Sequence, residues 1–381
     1  MTRVAFVSPE PTPYRSPLLD RVSADEDIDL TVIYAAHTVA GRTWKVEPLH
    51  RAVFLDGLSV PGAHGLLRHD YPVTPGIWRA LREAKPECVV VSGWSTFASQ
   101  AAIAWCRARR VPYVLLVESH DAGPKPGWRR HVKQTVVPPI VKGAASVLVT
   151  GSLARESVLG LGASPERVRV FANTIDVVRF GEQVDGLAER RAELRDGLGV
   201  SADDVAVVSV ARLAPEKRID TLLRAVAEAG DVRLVAILAG GGPERGRLEE
   251  LARELGVRAT FAGDRLWESV VEIYAASDVF ALLSEREPWA VVVNEAAACG
   301  LPLILSDRVG AARDLLRDGE NGVLVPAGDV GAAADALRRL AADRDLRLRM
   351  GAHSRELAQG FGYEPSVESL REAIREATAS R

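Results

Sequence analysis

Apolar, strand-like runs alternate with helical patterns along nearly the whole chain, and this alternation limits the fold more than any other feature. Runs such as RVAFVS (3–8), CVVVSG (88–93) and LPLILS (301–306) are continuously apolar. Such strands are buried on both faces, which is typical of parallel sheets covered by helices. The stretch TFASQAAIAWCRARR (96–110), with apolar residues three and four apart, predicts one of those helices. The sequence therefore predicts an α/β protein.

The alternation stops and restarts once, which indicates two domains. Residues 173–200 are polar and carry a charged helix, and strand-like runs return with DVAVVSVA at 204–211. A chain of 381 residues is also longer than one typical domain. We predict a Rossmann-like domain over 1–185, a second over 186–360, and a final helix over 361–381 that packs back on the first. Ligands of such folds bind in a cleft at the carboxyl ends of strands.

Composition excludes several classes of protein. A net charge of −3 gives no support for a nucleic-acid partner. Cys88, Cys106 and Cys299 lie far apart without metal-ligand spacing, which fits a reducing compartment. The sequence has no secretory signal and no apolar run of roughly 18 residues. We therefore expect a cytoplasmic protein.

The stretch SEREPWAVVVNEAAACG (284–300) places acids around the start of a helix. It follows the strand-like run DVFALLS, and Pro288 is suited to a first helical turn. The amides of about 289–292 would then point out of the helix N-terminus, where a phosphate can bind. Glu287 precedes that terminus and Glu295 lies about two turns inside. The alternative is that Glu287 only complements the helix dipole and Glu295 is solvated.

Two basic residues follow another strand of the same half. In VARLAPEKRID (210–220), Arg212 and Lys217 flank a turn that contains proline. An arginine fork and a lysine point charge could converge on the diphosphate at the helix N-terminus. Taken alone, two such cations are more often solvated.

Two further stretches follow strands. LLVESHD (115–121) contains His120, which could donate to a sugar hydroxyl or serve a structural role at the strand end. In LAGGGPERGRLEEL (238–251), Gly241 and its neighbours indicate that the backbone approaches something closely.

The region 122–155 contains basic residues but no Asp or Glu. It suggests a face attracted to anionic lipid or to a phosphorylated acceptor, with a solvated basic helix as the alternative. The basic residues are Lys125, Arg129, Arg130, Lys133, Lys142 and Arg155.

These motifs together resemble the retaining GT-B glycosyltransferases of family 4, the glycosyl transferases group 1 type. The resemblance is carried by Glu287-x7-Glu295 with AAACGLPLILSD and DGENGVLV after it, by VARLAPEKRID, and by GGGPERGRLEEL. The stretch 145–176, which ends in Asn-Thr-Ile-Asp, is similar to the end of the family's first domain. The resemblance implies two Rossmann-like domains that face a central cleft.

The resemblance also implies roles for individual residues. Arg212 and Lys217 would neutralise the diphosphate of a nucleotide sugar, Glu287 would hold sugar hydroxyls, and Glu295 would bind the ribose. The remaining implied contacts are the amides of Trp289, Ala290 and Val291 to phosphate, Arg265 and Gly241 at the nucleotide, His120 at the donor sugar, and Glu10, Thr12, Tyr14 and Arg15 towards the acceptor.

The activity implied is transfer of a sugar, most commonly from a UDP-sugar, to a glycan, a lipid-linked acceptor or a small molecule. The family needs no metal, and the nucleotide sugar is a co-substrate rather than a cofactor. Two departures from the family are Pro288 and Ala290, which replace glycines. Alternative functions are an epimerase or a phosphorylase on the same fold, or a sugar-nucleotide-binding protein without catalysis.

Overall fold

A computed structural model of the chain describes residues 1–37, 46–58, 71–118, 127–264 and 267–379, with the backbone alone at 127–133 and 267–268. The chain divides into two compact units, Met1–Asn173 with Tyr363–Arg381, and Thr174–Gly362.

The first unit is built on a parallel sheet with the strand order β3-β2-β1-β4-β5-β6-β7, counted over the described residues. Its strands are β1 Thr2–Ser8, β2 Ile28–Tyr34, β3 Ala52–Phe54, β4 Cys88–Ser92, β5 Tyr113–Val117, β6 Ser146–Val149 and β7 Val168–Val170. The described helices between them are α1 Ser16–Ser23, α2 Ile77–Ala84, α3 Phe97–Arg109, α4 Gly127–Lys142 and α5 Ser152–Gly160. Three-residue β3 and β7 were not predicted, because runs this short carry no recognisable pattern.

Both faces of this sheet are buried, as its continuously apolar strands predict. Val89 and Val91 of β4 belong to one hydrophobic cluster and Val90 to another on the opposite face. Successive side chains of a strand point to opposite faces, so only a strand covered on both sides needs three consecutive valines.

The second unit has a parallel sheet with the order β10-β9-β8-β11-β12-β13 within the described part. Its strands are β8 Val205–Val210, β9 Leu234–Ala239, β10 Ala259–Gly263, β11 Val279–Leu282, β12 Leu303–Ser306 and β13 Gly322–Val325. Its described helices are α6 Val177–Gly186, α7 Arg191–Gly197, α8 Ile219–Ala229, α9 Arg245–Glu254, α10 Trp267–Ala276, α11 Val291–Ala298, α12 Ala312–Leu315, α13 Val330–Ala342 and α14 Arg344–Gln359. The predicted fold class, α/β with two Rossmann-like doubly wound sheets, is confirmed.

The boundary between the units lies at Asn173/Thr174, before α6, and not after residue 185. Helix α6 belongs to the second unit because its contacts are there. The Phe180 ring lies 6.1 Å from the Tyr274 ring in an edge-on arrangement. Asp185 forms an ion pair of 2.9 Å with Arg355 of α14.

The last helix, α15 Tyr363–Ala379, is part of the first unit. Leu370 and Ile374 are buried in the same hydrophobic cluster as Phe6 and Val90. Arg371 also forms an ion pair with Asp25, with a nitrogen–oxygen distance of 2.9 Å. The helix therefore covers one face of the first sheet.

Candidate functional site

The loops that carry the predicted donor-site residues follow three neighbouring strands of the second unit. Strands β9, β8 and β11 lie side by side, and the chain direction across the sheet reverses between β8 and β11. In open parallel sheets this reversal leaves a crevice at the carboxyl ends of the strands, where ligands bind. Arg212 and Lys217 follow β8, Gly241 follows β9, and Glu287 follows β11.

Lys217 and Glu287 are in direct contact. The Lys217 Nζ donates to a carboxylate oxygen of Glu287, although the two residues are 70 positions apart. The side chains keep only 19% and 14% of their surface exposed, so the pair is largely withdrawn from water. The structure thus brings together one predicted cation and one predicted acid at the end of the sheet.

The loop that carries Glu287 is fixed by backbone bonds on both sides. The Glu287 amide donates to the Arg308 carbonyl over 3.2 Å, and the Gly310 amide donates to the Glu287 carbonyl over 2.9 Å. On the other side, the Glu285 amide donates to the Glu216 carbonyl over 2.9 Å. Glu287 is therefore held in place by its neighbours before any ligand binds, which is the preorganisation that a charged site needs.

Arg212 is not part of this contact. Its guanidinium pairs with Glu216 at 2.6 Å, and 65% of its side chain is exposed. A surface ion pair of this kind contributes little to stability and is readily exchanged. Arg212 therefore lies on the predicted loop after β8, but Glu216 partly compensates its charge.

Helix α11 begins at Val291, so Pro288 lies before the helix and not in its first turn. Ala290 precedes the helix with φ 80° and ψ 86°, in the left-handed region that disfavours every residue with a Cβ. The N–H groups of the first turn of a helix have no acceptor inside the helix and can bind an anion. The predicted phosphate contacts at Ala290 and Val291 lie at this helix start.

The Trp289 side chain, unlike its amide, belongs to the interior. It is 5% exposed, and its indole N–H donates to Asn294 over 3.0 Å. The Asn294 amide in turn donates to the Thr174 hydroxyl over 3.2 Å. This buried chain of hydrogen bonds connects the helix start to the first residue of the second unit.

The glycine turn after β9 makes room for the loop that carries Arg212. A Cβ on Gly240, whose φ is +133°, would lie 2.0 Å from the Ala211 carbonyl oxygen. A Cβ on Gly242 would lie 2.3 Å from the Leu213 carbonyl oxygen. The predicted close approach of the backbone is therefore to residues 211–213. The Gly241 amide donates to the Asp264 carboxylate over 2.6 Å.

Glu295 is buried, with 5% of its surface exposed, and accepts a 2.8 Å hydrogen bond from the Tyr274 hydroxyl. Burial raises the pKa of its carboxyl to about 7, and the Tyr274 hydrogen bond opposes this shift. The alternative that Glu295 is a solvated surface acid is wrong. Its expected contact with a ribose stays a prediction.

In the first unit, the loop after β1 holds the residues expected on the acceptor side. Glu10, Thr12 and Arg15 are buried, and Tyr14 is half-buried. Arg15 pairs with Glu118 at 2.9 Å, which connects the loop after β1 to the end of β5. The Glu10 carboxylate accepts from the Tyr71 hydroxyl over 3.0 Å. This loop is therefore anchored to its own unit by charged side chains.

Two predicted site residues, His120 and Arg265, lie outside the described residues, and so does Lys125. Sequence reasoning also missed three partners that the structure supplies, Glu216, Asp264 and Tyr274. Glu216 could have been found, because it stands four residues after Arg212. Tyr274 could not, because its contact with Glu295 joins two helices.

Two family models match the chain. Residues 190–357 match the model described as Glycosyl transferases group 1, and residues 24–174 match the Glycosyl transferase 4-like domain. Residues 190–357 belong to the glycosyl transferases group 1 family. The second unit, with the Lys217–Glu287 pair, contains the matched group 1 segment.

Curated relatives in this family include D-inositol 3-phosphate glycosyltransferases. The protein from Saccharomonospora viridis is 35% identical over 231 residues, which cover 57% of this chain and 52% of the relative. The protein from Nocardia farcinica is 34% identical over 247 residues, covering 61% and 53%. The chain thus spans about half the length of these relatives.

Two solved structures share the fold over the whole chain. The crystal structure of HepE from Anabaena in complex with UDP aligns with a TM-score of 0.73 at 20% identity, covering 100% of both chains. Sucrose-phosphate synthase from Thermosynechococcus elongatus also aligns with a TM-score of 0.73, at 22% identity and the same coverage. At these identities the likeness shows the fold alone.

None of the helices in the described ranges is both long and apolar enough to cross a bilayer. Over the same ranges, no three His, Cys, Asp or Glu side chains are grouped so that they could hold a metal ion.

Proposed function

We propose that the protein is a retaining glycosyltransferase that moves a sugar from a nucleoside-diphosphate sugar, preferably a UDP-sugar, to a hydroxyl of a glycan, a glycolipid or a small molecule. The contact between Lys217 and Glu287 beside the start of α11 carries the proposal. The D-inositol 3-phosphate glycosyltransferases and the HepE complexes with UDP and with UDP-glucose support it.

The cations and the helix start suit the leaving group. Breaking the bond between sugar and diphosphate builds negative charge on the phosphate, and fixed charges aimed at that position lower the barrier. Lys217 would supply an ammonium, Arg212 a mobile guanidinium, and α11 its first amides. Arg212 would exchange Glu216 for the diphosphate, because exposed ion pairs are weak.

Glu287 suits the sugar. Its carboxylate would accept hydrogen bonds from sugar hydroxyls, and its negative charge would favour the positive charge that develops on the reacting carbon. In the free protein Lys217 neutralises this carboxylate. Binding of a diphosphate would draw the ammonium towards the phosphate and leave Glu287 available to the sugar.

Retention of configuration would follow from attack on the face that the diphosphate leaves. The acceptor hydroxyl would lose its proton to the departing phosphate oxygen while the new glycosidic bond forms. No metal takes part in the proposed transfer, because Lys217 and Arg212 supply the positive charge. The acceptor would meet the loop that holds Glu10, Thr12, Tyr14 and Arg15.

The conformation of Ala290 supports the proposed phosphate contact before α11. A left-handed residue with a Cβ costs about 1–2 kcal/mol relative to a right-handed one. The chain nevertheless keeps this conformation at the position where the family has glycine. The shape of the phosphate-binding loop is therefore maintained in spite of the substitution.

We also propose a peripheral contact between the basic region 125–155 and an anionic membrane. Arg155 is not available for it, because its guanidinium donates to the Val168 carbonyl over 2.8 Å. Lys142 is exposed, and the contact would rest on it and on the other basic residues of 125–142. Co-sedimentation with vesicles containing phosphatidylserine should decrease with salt, and its absence would refute this contact.

Donor binding and transfer test the proposed function separately. In a thermal-shift screen, the nucleotide sugars that carry one particular nucleoside should raise the melting temperature, because a ligand of the native state stabilises it. The selected donor is then incubated with candidate acceptors, and the anomeric configuration of the product is determined by NMR. Donor binding without transfer across a broad acceptor panel would favour the non-catalytic alternative, and an inverted product would refute retention.

A further inference from the structure

The second unit carries a pocket of about 870 Å³ on the side of its sheet away from the candidate active site. Residues just before β8, β11 and β12 line it, including Asp204, Asp278 and Pro302. The active-site loops follow the opposite ends of β8 and β11. Strand β8 has six residues and so separates the two sites by roughly 20 Å. The volume lies within the range of small-molecule sites.

Both carboxylate oxygens of Asp278, in the wall of this pocket, are already hydrogen-bonded. One carboxylate oxygen accepts from Arg191 over 2.8 Å. The other accepts from Arg195 and from the Ala206 amide, each over 2.8 Å. Both terminal nitrogens of Arg195 also donate to backbone carbonyls. These residues form a complete structural cluster.

Arg344 and Arg347 also line the pocket. Within the described ranges neither guanidinium forms an ion pair. Arg347 is half-buried and donates only to the backbone carbonyls of Leu340 and Ala341. Arg344 is exposed at the start of α14. Two guanidinium groups with free donors therefore face the same space.

The neighbouring arginines act on one another. Burial lowers the pKa of Arg347, and the positive charges of Arg233 and Arg344 lower it further, while Asp278 and Asp343 oppose the shift. Arg344 likewise lowers the pKa of Arg191, for which burial is the main cause. An anion placed between these residues would relieve this repulsion.

The acids of the pocket restrict the size of such an anion. Glu189, Asp196 and Asp203 line the pocket and are exposed. These carboxylates would repel a long polyanion such as a nucleic acid, but they can accept hydrogen bonds from hydroxyl groups. A small ligand that carries one phosphate and several hydroxyls fits both the arginines and the acids.

We propose that this pocket binds a compact phosphorylated small molecule whose phosphate is held by Arg344 and Arg347. Guanidinium groups match phosphate oxygens in geometry and charge. The ligand would bind in addition to the nucleotide sugar, because the sheet lies between the two sites.

The test uses inorganic phosphate on the full chain at constant ionic strength, with chloride as the balancing anion. The melting temperature should rise saturably in the wild type. The Arg344→Gln/Arg347→Gln variant should bind about tenfold more weakly or worse. Arg349, an exposed arginine on the same helix that does not line the pocket, provides the matched control, and Arg349→Gln should bind like the wild type.

Two further variants make the outcome decisive. Arg344→Gln alone leaves the carbonyl contacts of Arg347 intact and should still weaken binding, so a folding defect cannot explain the loss. Lys217→Ala removes the ammonium that the proposed function places on the diphosphate. Any phosphate bound at the candidate active site should weaken in this variant, whereas the saturable response of the pocket should remain. No saturable response, equal binding by all pocket variants, or loss in Lys217→Ala alone would each overturn the proposal. The measurement needs neither donor nor acceptor, so it stands apart from the transfer assay.

Discussion

The Tyr274 hydroxyl donates a 2.8 Å hydrogen bond to the Glu295 carboxylate in the interior of the second unit. Burial is the main reason that the pKa of Glu295 rises from 4.5 to about 7. The folded protein therefore binds a proton between these values that the unfolded chain has released.

The free energy of unfolding should fall as pH rises from about 4.5 and level off above about 7, because a raised carboxyl pKa stabilises the folded state only while the group is protonated. The full change is about 3 kcal/mol. Glu295→Gln should remove this dependence. Urea unfolding of both proteins across this range measures the difference, and a difference that does not vary with pH would disprove the shift.

Lys217 and Glu287 should act as a unit. Lys217→Met and Glu287→Gln should each lower transfer by about 100-fold or more, because each removes a charge aimed at the reacting groups. Each should also destabilise the protein by about 1–3 kcal/mol, since its partner is left largely buried without compensation.

The double variant Lys217→Met/Glu287→Gln should regain much of the stability but none of the activity. Glu285→Gln is the matched control, because Glu285 is 65% exposed and lies 3.5 Å from Arg218. It should keep both properties. Additive stability losses in the double variant, or full activity in either single variant, would contradict the assigned pair.

Ala290→Gly should stabilise the protein slightly, by about 0.5 kcal/mol, since relief of the left-handed strain exceeds the entropy cost of glycine. Ala311→Gly, at φ −64°, should instead destabilise by about 0.5–1 kcal/mol. Ala290→Val should reduce both stability and transfer, because a β-branched side chain tolerates positive φ poorly. Chemical denaturation measures the stabilities, and initial rates measure transfer. Equal losses of stability in Ala290→Gly and Ala311→Gly would argue against strain at Ala290.

Gly240→Ala should cost about 2 kcal/mol or more and reduce donor binding, because its Cβ would overlap the Ala211 carbonyl and displace the loop of Arg212. Gly246, in helix α9, has no atom within 4 Å of an added Cβ. Gly246→Ala should therefore stabilise by about 0.5–1 kcal/mol. Unfolding curves measure the stability of both variants, and calorimetric titrations measure donor binding. If Gly240→Ala is as stable as the wild type, the overlap with the Ala211 carbonyl can relax.

Transfer should be insensitive to chelation, because Lys217 and Arg212 provide the positive charge that a metal ion would otherwise supply. Initial rates in excess EDTA should equal those without it. Added Mg²⁺ should not restore activity to Lys217→Met. A rate that collapses in EDTA and returns with Mg²⁺ would contradict the metal-free proposal.

The sheets and much of the candidate site follow from local sequence patterns. Continuous apolar runs locate the long strands, because burial on both faces leaves no polar position within them. The loops of Arg212 and Glu287 could be placed at the same edge of one sheet because both follow strands of the same half. That β8 and β11 are neighbours came from the structure. The glycine turn after β9 predicted a close backbone approach, although not that it is to residues 211–213.

The features that sequence reasoning could not supply depend on long-range packing. The Tyr274–Glu295 bond joins two helices, and neither residue has a distinctive local pattern. The boundary at Asn173 depends on the unit against which Phe180 of α6 packs. The pattern of an amphipathic helix does not show which of two hydrophobic cores it will pack against. The conformation of Ala290 depends on the flanking loop, which is fixed by the segment 308–310.

Helix α15 also determines the order in which the protein can mature on the ribosome. Leu370 and Ile374 complete the core of the first unit, yet they are translated after the entire second unit. Domains usually fold as they emerge, with the N-terminal one first. Here the face of the first sheet that Leu370 and Ile374 complete stays partly open while residues 174–362 are synthesised, and that nascent face is where chaperones would be needed.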